Sequence, residues 1–349
     1  MTSPLIRQNV SLAPYTSFKV GGPAESFAEC HTRDEFLAAL QSATGDIRIL
    51  GYGSNTLISD KGLPGLTIVY RGGGISFEGT HAVVDGSAWW DDLVAQTVER
   101  GLWGIELTSG MPSSVAAAII GNCAAYGQEA SDRLVSIDVF DLSDRTAKTL
   151  QKNDCEFRYR QSSLQGSQYV ILSATFDFAT EPTTELRYAS ALTVAHEMGL
   201  DASTLPNRRA IIFETRRRAG SLYDPHDANA ARTAGSFFKN PVVSPEQAEK
   251  IASFDESGKA LELIKQQNAI HGGSSSRVSA AHVLLAAGFH RGQAWGPVRL
   301  HPDHVLKIEN TGGATAQQIY DVAQEIIKTV KEKLGITLEV EVRFLGDFS

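Results

Sequence analysis

The chain has 349 residues, enough for two or three domains and at least one sizeable core. Its 42% hydrophobic and 21% charged residues describe an ordinary globular protein. A net charge of −8 argues against nucleic acid as a partner, because neutralising phosphates needs a basic face.

The segment MTSPLIRQNVSLAPYTSF (1–18) lacks the roughly 7–15-residue apolar stretch of a secretory signal, and no apolar run approaches the roughly 18 residues of a membrane helix. A cytoplasmic protein without membrane insertion is expected. Cys30, Cys123 and Cys155 are odd in number and widely spaced, and the histidines never fall at ligand spacing. Neither a disulfide framework nor a metal site is expected.

In chain order, RDEFLAALQSA (33–43) sets Phe36, Leu37 and Leu40 at helical spacing. IRIL (47–50) and LTIVY (66–70) read as strands, with GYGSN (51–55) as a turn between them. DDLVAQTVERG (91–101) predicts a helix capped by Asp91 or Asp92 and stopped by Gly101. SSVAAAIIGNCAAYG (113–127) is a second helical candidate, rich in small residues, and SIDVFDL (136–142) and QYVILSATFDF (168–178) predict strands. Composition shifts near the basic run Arg216-Arg217-Arg218, which suits a small anionic ligand. A Pro/Asp/Ala-rich loop (222–232), the motif TAGSFFKNP (233–241) and helical patterns at 245–253 and 278–287 follow. From 316 to 334, Ile319, Val322, Ala323, Ile326, Ile327 and Val330 form one apolar stripe, which reads as core. TLEVEVRFLG (337–346) reads as a strand with Glu339, Glu341 and Arg343 on one face.

Four of these stretches could carry chemistry. Gly51 and Gly53 let successive N–H groups face an anion, although the same residues also make an ordinary tight turn. No Gly-Lys-Ser/Thr follows, and Thr56 stands where a dinucleotide fingerprint needs its third glycine. Tyr159 and Arg160 put an aromatic ring beside a guanidinium able to fork a carboxylate, or they are plain surface polar residues. Glu341 is either a surface acid paired with Arg343 or a buried acid of raised pKa. Ser236 either closes a turn anchored by Phe237 and Phe238 or offers a reactive hydroxyl.

Taken together, YTSFKVGGPAESF (15–27), LGYGSNTLISD (50–60), MPSSVAAAIIGNCAAYGQE (111–129), FRYRQS (157–162), AGSFFKNP (234–241), ENTGGATA (309–316) and LEVEVRF (338–344) resemble, in order and spacing, the motifs of the UDP-N-acetylenolpyruvoylglucosamine reductase family of flavoproteins. AGSFFKNP and GGATA are the specific matches; the glycine turns alone are not. TELRYASAL (184–192) resembles the family's longer type, whose inserted loop brings a tyrosine, here Tyr188, over the substrate.

The resemblance implies an α+β protein with a vanillyl-alcohol-oxidase-type FAD-binding fold. Two α/β subdomains (1–70 and 71–215) would precede a substrate-binding α/β domain (216–335) and a strand (336–349) returning to the active site. FAD would be held by Gly51, Tyr52, Gly53, Ser54 and Asn55, and by Pro112, Ser113, Ser114, Asn122, Ala125, Tyr126 and Gly127. NADPH would be the reductant, a UDP-sugar enolpyruvyl ether the substrate, and the protein a monomer. Ser236 would be the proton donor, with Arg160 and Glu341 stabilising charge on the substrate carboxylate. A serine used as an acid toward a carbanion needs no histidine, whereas a nucleophilic one needs a base. Tyr159, Tyr188, Arg218, Lys239 and Asn240 would bind substrate.

The chain departs from the family pattern in places. Ser113, Ala116 and Ala124 stand where glycines are common, Ile119 where a proline is usual, Gly121 where a glutamine is common, and Val340 where a proline is expected. Each added side chain limits how closely backbone can approach a pyrophosphate. Ala219 occupies the place of a lysine, leaving a gap in the diphosphate clamp or a role for Arg218. Two other functions stay open: a flavin oxidoreductase of the same fold with another substrate, and a flavin- or nucleotide-binding module without catalysis.

Overall fold

The computed structural model describes residues 4–224, 227, 230–255, 259–270 and 277–348, with 267–270 by their backbone alone. Pro225, His226, Ala228 and Asn229 of the expected 222–232 loop lie outside the described residues. The chain forms two compact units, each assembled from three stretches. The first is Met1–Val10, Glu25–Tyr52 and Pro64–Asp227; the second is Ser11–Ala24, Gly53–Leu63 and Ala228–Ser349.

Among the described residues, the first unit carries two larger sheets and one two-stranded hairpin. One has four strands in the order Ile6–Ser11, Pro23–Cys30, Leu63–Tyr70, Ile47–Leu50, the last two parallel with Ile47 opposite Leu66. Helix α1 (Arg33–Ser42) starts from a capping box in which the Thr32 hydroxyl accepts from Glu35 N and the Glu35 carboxylate reaches back. It buries Phe36, Ala39 and Leu40 against Leu66, Ile68 and Tyr70 of that sheet, with Leu37 at the margin. The second sheet runs Thr146–Gln151, Leu134–Asp141, Tyr169–Asp177, His81–Asp85, Ile75–Glu78 and is antiparallel throughout. Its apolar face packs with α2 (Trp90–Glu99) and α3 (Val115–Ile120) around Trp90, Leu93, Val115, Ile171 and Phe176.

Two expectations need correction here. Helix α2 begins at Trp90 from a Trp89 N-cap, so Asp91 and Asp92 lie in its first turn. Asp91 accepts instead from Gly110 N and from both Arg209 terminal nitrogens. The small-residue stretch is helical only to Ile120; Asn122 has φ +41, a left-handed conformation that an α-helix cannot continue through. The unit ends in α4 (Ala189–Met198) and α5 (Leu205–Arg218), which the apolar pattern did not reveal. Helix α5 buries Leu205, Arg208, Ile211, Ile212 and Thr215 at helical spacing, but Arg208 and Thr215 hide the stripe from a reading by hydrophobicity.

The second unit packs α6 (Pro245–Ala252), α7 (Lys259–Ile270), α8 (Ala280–Ala286) and α9 (Ala316–Leu334) with a three-stranded sheet, Ala294–Trp295, Val298–Leu300 and Ile308–Asn310. A parallel pair, Thr56–Ile58 with Arg343–Leu345, belongs to the same unit. The expected stripe of α9 is buried against this core, with Ile327 partly buried at its edge. Its N-terminus is closed by a Thr315–Gln318 capping box and by Asp60, whose two oxygens each accept a backbone N–H, from Ala316 and Gln317, at 2.9 Å. A carboxylate there also meets the positive end of the helix dipole. The C-terminal run is a regular strand only over Arg343–Leu345, because the backbone of 339–341 pairs with the serine-motif loop instead. Among the described residues, no helix is long and apolar enough to cross a membrane.

Candidate active site

In the second unit, the serine motif is stitched to two other segments. Gly235, at φ +74, turns the chain, and Phe237 and Phe238 anchor it in the core, where each buried ring contributes about 1.5–3 kcal/mol. On one side Phe237 N donates to Leu306 O at 2.9 Å, and Thr233 pairs with Glu309. On the other, Glu341 N donates to Phe237 O and Lys239 N to Glu339 O, both at 2.9 Å. Ser236 is therefore half-buried, and Glu341 sits one residue from it across a backbone hydrogen bond. Lys239 pairs with Glu339 at 3.3 Å. Asn240 has its Oδ1 committed to Ala280 N at the start of α8, while its carbonyl accepts from Arg277.

The first glycine turn is divided between the units, Gly51 and Tyr52 in the first and Gly53 to Asn55 in the second. Within the second, Gly53 O accepts both the amide and the hydroxyl of Ser17. Asn55 holds the C-terminal segment twice: its Nδ2 donates to Glu341 O at 3.2 Å and its carbonyl accepts from Arg343 N at 3.0 Å. Ser54 follows Gly53 in this same turn.

Within the first unit, Arg71 fixes the other half of the turn. Its Nη2 donates to Gly51 O at 3.0 Å and its guanidinium lies over the Tyr52 ring at 4.4 Å. Tyr52 also meets Trp89 edge-on, with ring centroids 4.5 Å apart. Beneath it, Asp85 accepts from Tyr70 Oη at 2.7 Å and from the amide and hydroxyl of Ser87. Burial, followed by that carboxylate, raises the Tyr70 pKa. A Cβ added at Gly51 would stand 3.2 Å from Ser114 Oγ, so this turn and the 112–114 loop are neighbours.

In the 112–114 loop both serine hydroxyls are bonded within the protein. Ser113 Oγ donates to the carbonyl of Ser114 at 2.9 Å, and Ser114 Oγ caps α3 by accepting from Ala117 N. The methyl of Ala116 faces Gly86, where an added Cβ would lie 3.3 Å from it and 2.7 Å from Ile171 O. Asn122 is fully buried and spends its side chain internally, on Glu129, Arg158 O and Ser131 N.

Beyond it, Ala124–Ala125 and Gln128–Glu129 form a hairpin whose two-residue loop is Tyr126 (φ +49) and Gly127 (φ +92). Both loop residues at positive φ is the type I′ pattern, which favours Asn-Gly and strains a tyrosine. A second tight turn closes between Arg158 and Gln161, with Tyr159 and Arg160 (φ +54) at its tip. Arg160 Nη2 donates to Ala124 O at 3.0 Å, joining the two hairpins. Tyr188, the N-cap of α4, meets Tyr126 edge-on at 5.5 Å. Burial raises the Tyr188 pKa, and Tyr159, Arg160 and Tyr126 are the charged or titrating groups it senses. Three non-glycine residues at positive φ in one patch are stored strain of the kind that gathers at functional sites.

The first unit thus brings together Tyr126, Gly127, Tyr159, Arg160 and Tyr188, and separately Gly51, Tyr52 and the 112–114 loop; the second brings together Ser236, Glu341 and Asn55. Arg218 lies at the exposed end of α5, bonded to Glu214 and to Glu197. Arg216, two residues earlier, bonds Gly110 O and Ser221 O and is set among Tyr126, Asp91 and Arg160. Sequence reasoning passed over Arg71 and saw Arg216 only as part of a basic run, because their targets Gly51 and Gly110 lie 20 and 106 residues away and leave no local signal. Within the first unit, the turn at Gly51 and a neighbouring loop whose hydroxyls are bonded back into the protein are a residue set that suits a dinucleotide cofactor.

Comparison with known proteins agrees with that fit. Residues 24–150 match the FAD binding domain, and residues 224–345 match the family model described as UDP-N-acetylenolpyruvoylglucosamine reductase, C-terminal domain. The chain is 33% identical to the UDP-N-acetylenolpyruvoylglucosamine reductase of Thermobifida fusca (strain YX), with 99% of each covered. It is also 33% identical to the protein of that name from Streptomyces coelicolor, over 96% of this chain and 89% of the other. In fold it is similar to the solved UDP-N-acetylenolpyruvylglucosamine reductase (MurB) of Thermus caldophilus, with a TM-score of 0.67 at 24% identity, over 98% of this chain and 100% of that one. The α+β fold with its FAD-binding part is the one expected. With relatives of this identity matched from end to end and the motif loops closed as described, the chain belongs to the UDP-N-acetylenolpyruvoylglucosamine reductase family.

Proposed function

We propose that this chain is a FAD-dependent, NADPH-driven reductase that converts the enolpyruvyl ether of UDP-N-acetylglucosamine to UDP-N-acetylmuramate, a step in peptidoglycan precursor synthesis. The observation that carries the catalytic part is the bond from Glu341 N to Phe237 O, which sets an acid one residue from Ser236. Bound FAD, which the glycine turn and the 112–114 loop would hold, would supply hydride-transfer chemistry between NADPH and the enol ether. Ser236 would give its hydroxyl proton to the carbon next to the carboxylate and take one back from solvent, so that a hydride and a proton add across the double bond. For that role a hydroxyl needs aim above all, and the bonds on either side of Phe237 hold the loop in place.

Glu341 and Arg160 are assigned to the charge that develops on the substrate carboxylate. Tyr159, Tyr188, Lys239 and Asn240 are assigned to the substrate, and the two glycine-rich loops to FAD. Arg218 is the candidate for the diphosphate in place of a lysine at Ala219. It would exchange its exposed partner Glu197 for phosphate oxygens. The division at 1–70, 71–215, 216–335 and 336–349, a monomeric state and a cytoplasmic location belong to the same proposal.

The test is NADPH oxidation by the purified protein. Oxidation that depends on the UDP-enolpyruvyl sugar, from a yellow protein with two flavin bands, is the expected result. A yellow protein without turnover points to a binding module, and a colourless one removes the flavin reading altogether. Arg160→Lys sharpens the assignment. A point charge cannot replace a planar fork, so substrate KM should rise and turnover fall while flavin content stays normal. Kinetics unchanged in that variant place Arg160 outside the site.

A further inference from the structure

A buried polar network in the first unit joins the Tyr126–Gly127 hairpin to the segment that carries Tyr188. Glu106 and Gln128 are 0% exposed and Arg208 is 6% exposed, so each of their polar atoms needs a partner inside the protein. Glu106 Oε2 accepts from Gly104 N at 2.8 Å and from Gln128 Nε2 at 3.0 Å, and Glu106 Oε1 accepts from Arg208 Nη1 at 2.8 Å. Gln128 Oε1 accepts from Leu107 N at 2.7 Å. Arg208 donates further to Thr184 O and to Ala202 O, both at 2.7 Å, and lies over the Trp103 ring at 4.9 Å.

The two ends of this network are the two ends of a contact between tyrosines. Gln128 directly follows the strained Tyr126–Gly127 turn, and Thr184 lies four residues before Tyr188. Thr184 Cγ2 and Tyr188 Cε2 stand 3.7 and 3.9 Å from where a Cβ on Gly127 would be, so hairpin and segment touch through the network's own neighbours. A buried ion pair adds little stability over well-packed apolar side chains. Its physical value here is geometric, since it ends on specific carbonyls and amides and fixes two loops in one relation.

We propose that Glu106, Gln128 and Arg208 are positioning residues that set Tyr126 against Tyr188, an inference that rests on the assignment of Tyr188 to the UDP-sugar. The network holds the hairpin tip through Gln128 and the inserted segment through Thr184 O, while Ala202 O ties Arg208 to the turn between α4 and α5. Tyr188 is thereby presented in one orientation before substrate arrives, and ordering that is already done costs nothing on binding.

Arg208→Lys tests this in the purified flavoprotein. Lysine keeps a cation for Glu106, but its single nitrogen cannot serve Glu106, Thr184 O and Ala202 O in fork geometry. Amide hydrogen exchange should quicken in 126–128 and 184–188, and KM for the UDP-sugar should rise on the order of tenfold with kcat within about twofold, because misplacement by an ångström can cost more than that. Unchanged exchange in both segments overturns the proposal whatever the kinetics. Faster exchange with an unaltered KM overturns the link to substrate, and Tyr188→Phe then shows which part failed. If it raises KM, the positioning idea is wrong; if it does not, the assignment of Tyr188 is wrong. Gln128→Met cuts only the arm to the hairpin, and should quicken exchange in 126–128 even if Arg208→Lys does not fold.

Discussion

Ser236→Ala is expected to leave flavin reduction by NADPH near its normal rate and to slow reoxidation by the enolpyruvyl substrate about 10²–10⁴-fold, the usual weight of a general acid. On the proposed assignment the serine acts only when the substrate carbon takes its proton, so only the second half-reaction should feel its loss. The fold should tolerate the change. The loop is held by backbone bonds from Phe237 N to Leu306 O and from Glu341 N to Phe237 O, and by two buried phenylalanine rings. Stopped-flow absorbance of the two half-reactions separates the outcomes. Equal slowing of both would place Ser236 in binding or folding rather than proton donation.

Gly53→Ala should be the most damaging single methyl group among the site glycines. Gly53 has φ +61, and a Cβ built there lies 2.1 Å from Tyr15 O and 2.8 Å from Thr16 Cα, both backbone atoms that cannot rotate away. Left-handed strain and overpacking together should cost about 2–5 kcal/mol. Because Gly53 O also receives both donors of Ser17, the shift should reach the turn itself and lower flavin content. Gly235→Ala is the control: φ is +74 there too, yet nothing lies within 4 Å of the added carbon. It should cost only the conformational penalty, about 1–2 kcal/mol. Urea melts of the two variants decide the matter, and equal midpoints for Gly53→Ala and wild type would remove the close-packing account of this turn.

What the sequence made legible was what short-range physics controls. The α9 stripe reads directly because its buried positions are apolar, and GYGSN and AGSFFKNP read as turns because glycine and neighbouring anchors announce them. Helix α5 was missed for the converse reason: its buried face includes Arg208, which becomes intelligible only beside Glu106, 102 residues earlier. Asp91 looked like an N-cap, and would serve as one, but Arg209 and Gly110 claim its carboxylate. The Tyr126–Gly127 turn breaks the usual Asn-Gly preference, so its hairpin is invisible to turn statistics. Ser236 and Glu341 stood out separately as residues, while the backbone bond that makes them neighbours spans a separation no local pattern encodes.

The tie between Asn55 and Glu341 has a consequence for how the protein is made. Asn55 donates to a carbonyl 286 residues further along, and the strand Thr56–Ile58 has Arg343–Leu345 as its sheet partner. At about 5–20 residues per second, ribosomal synthesis leaves that strand waiting on the order of 15–60 s for its partner. The first unit reaches its last residue at Asp227 and can begin folding long before then, whereas the second closes only when residues 339–345 emerge. Throughout the wait an unpaired strand edge is open to other nascent chains. Chaperone binding should therefore centre on 53–63 during translation, and a ribosome stalled before residue 341 leaves that edge exposed for as long as the stall lasts.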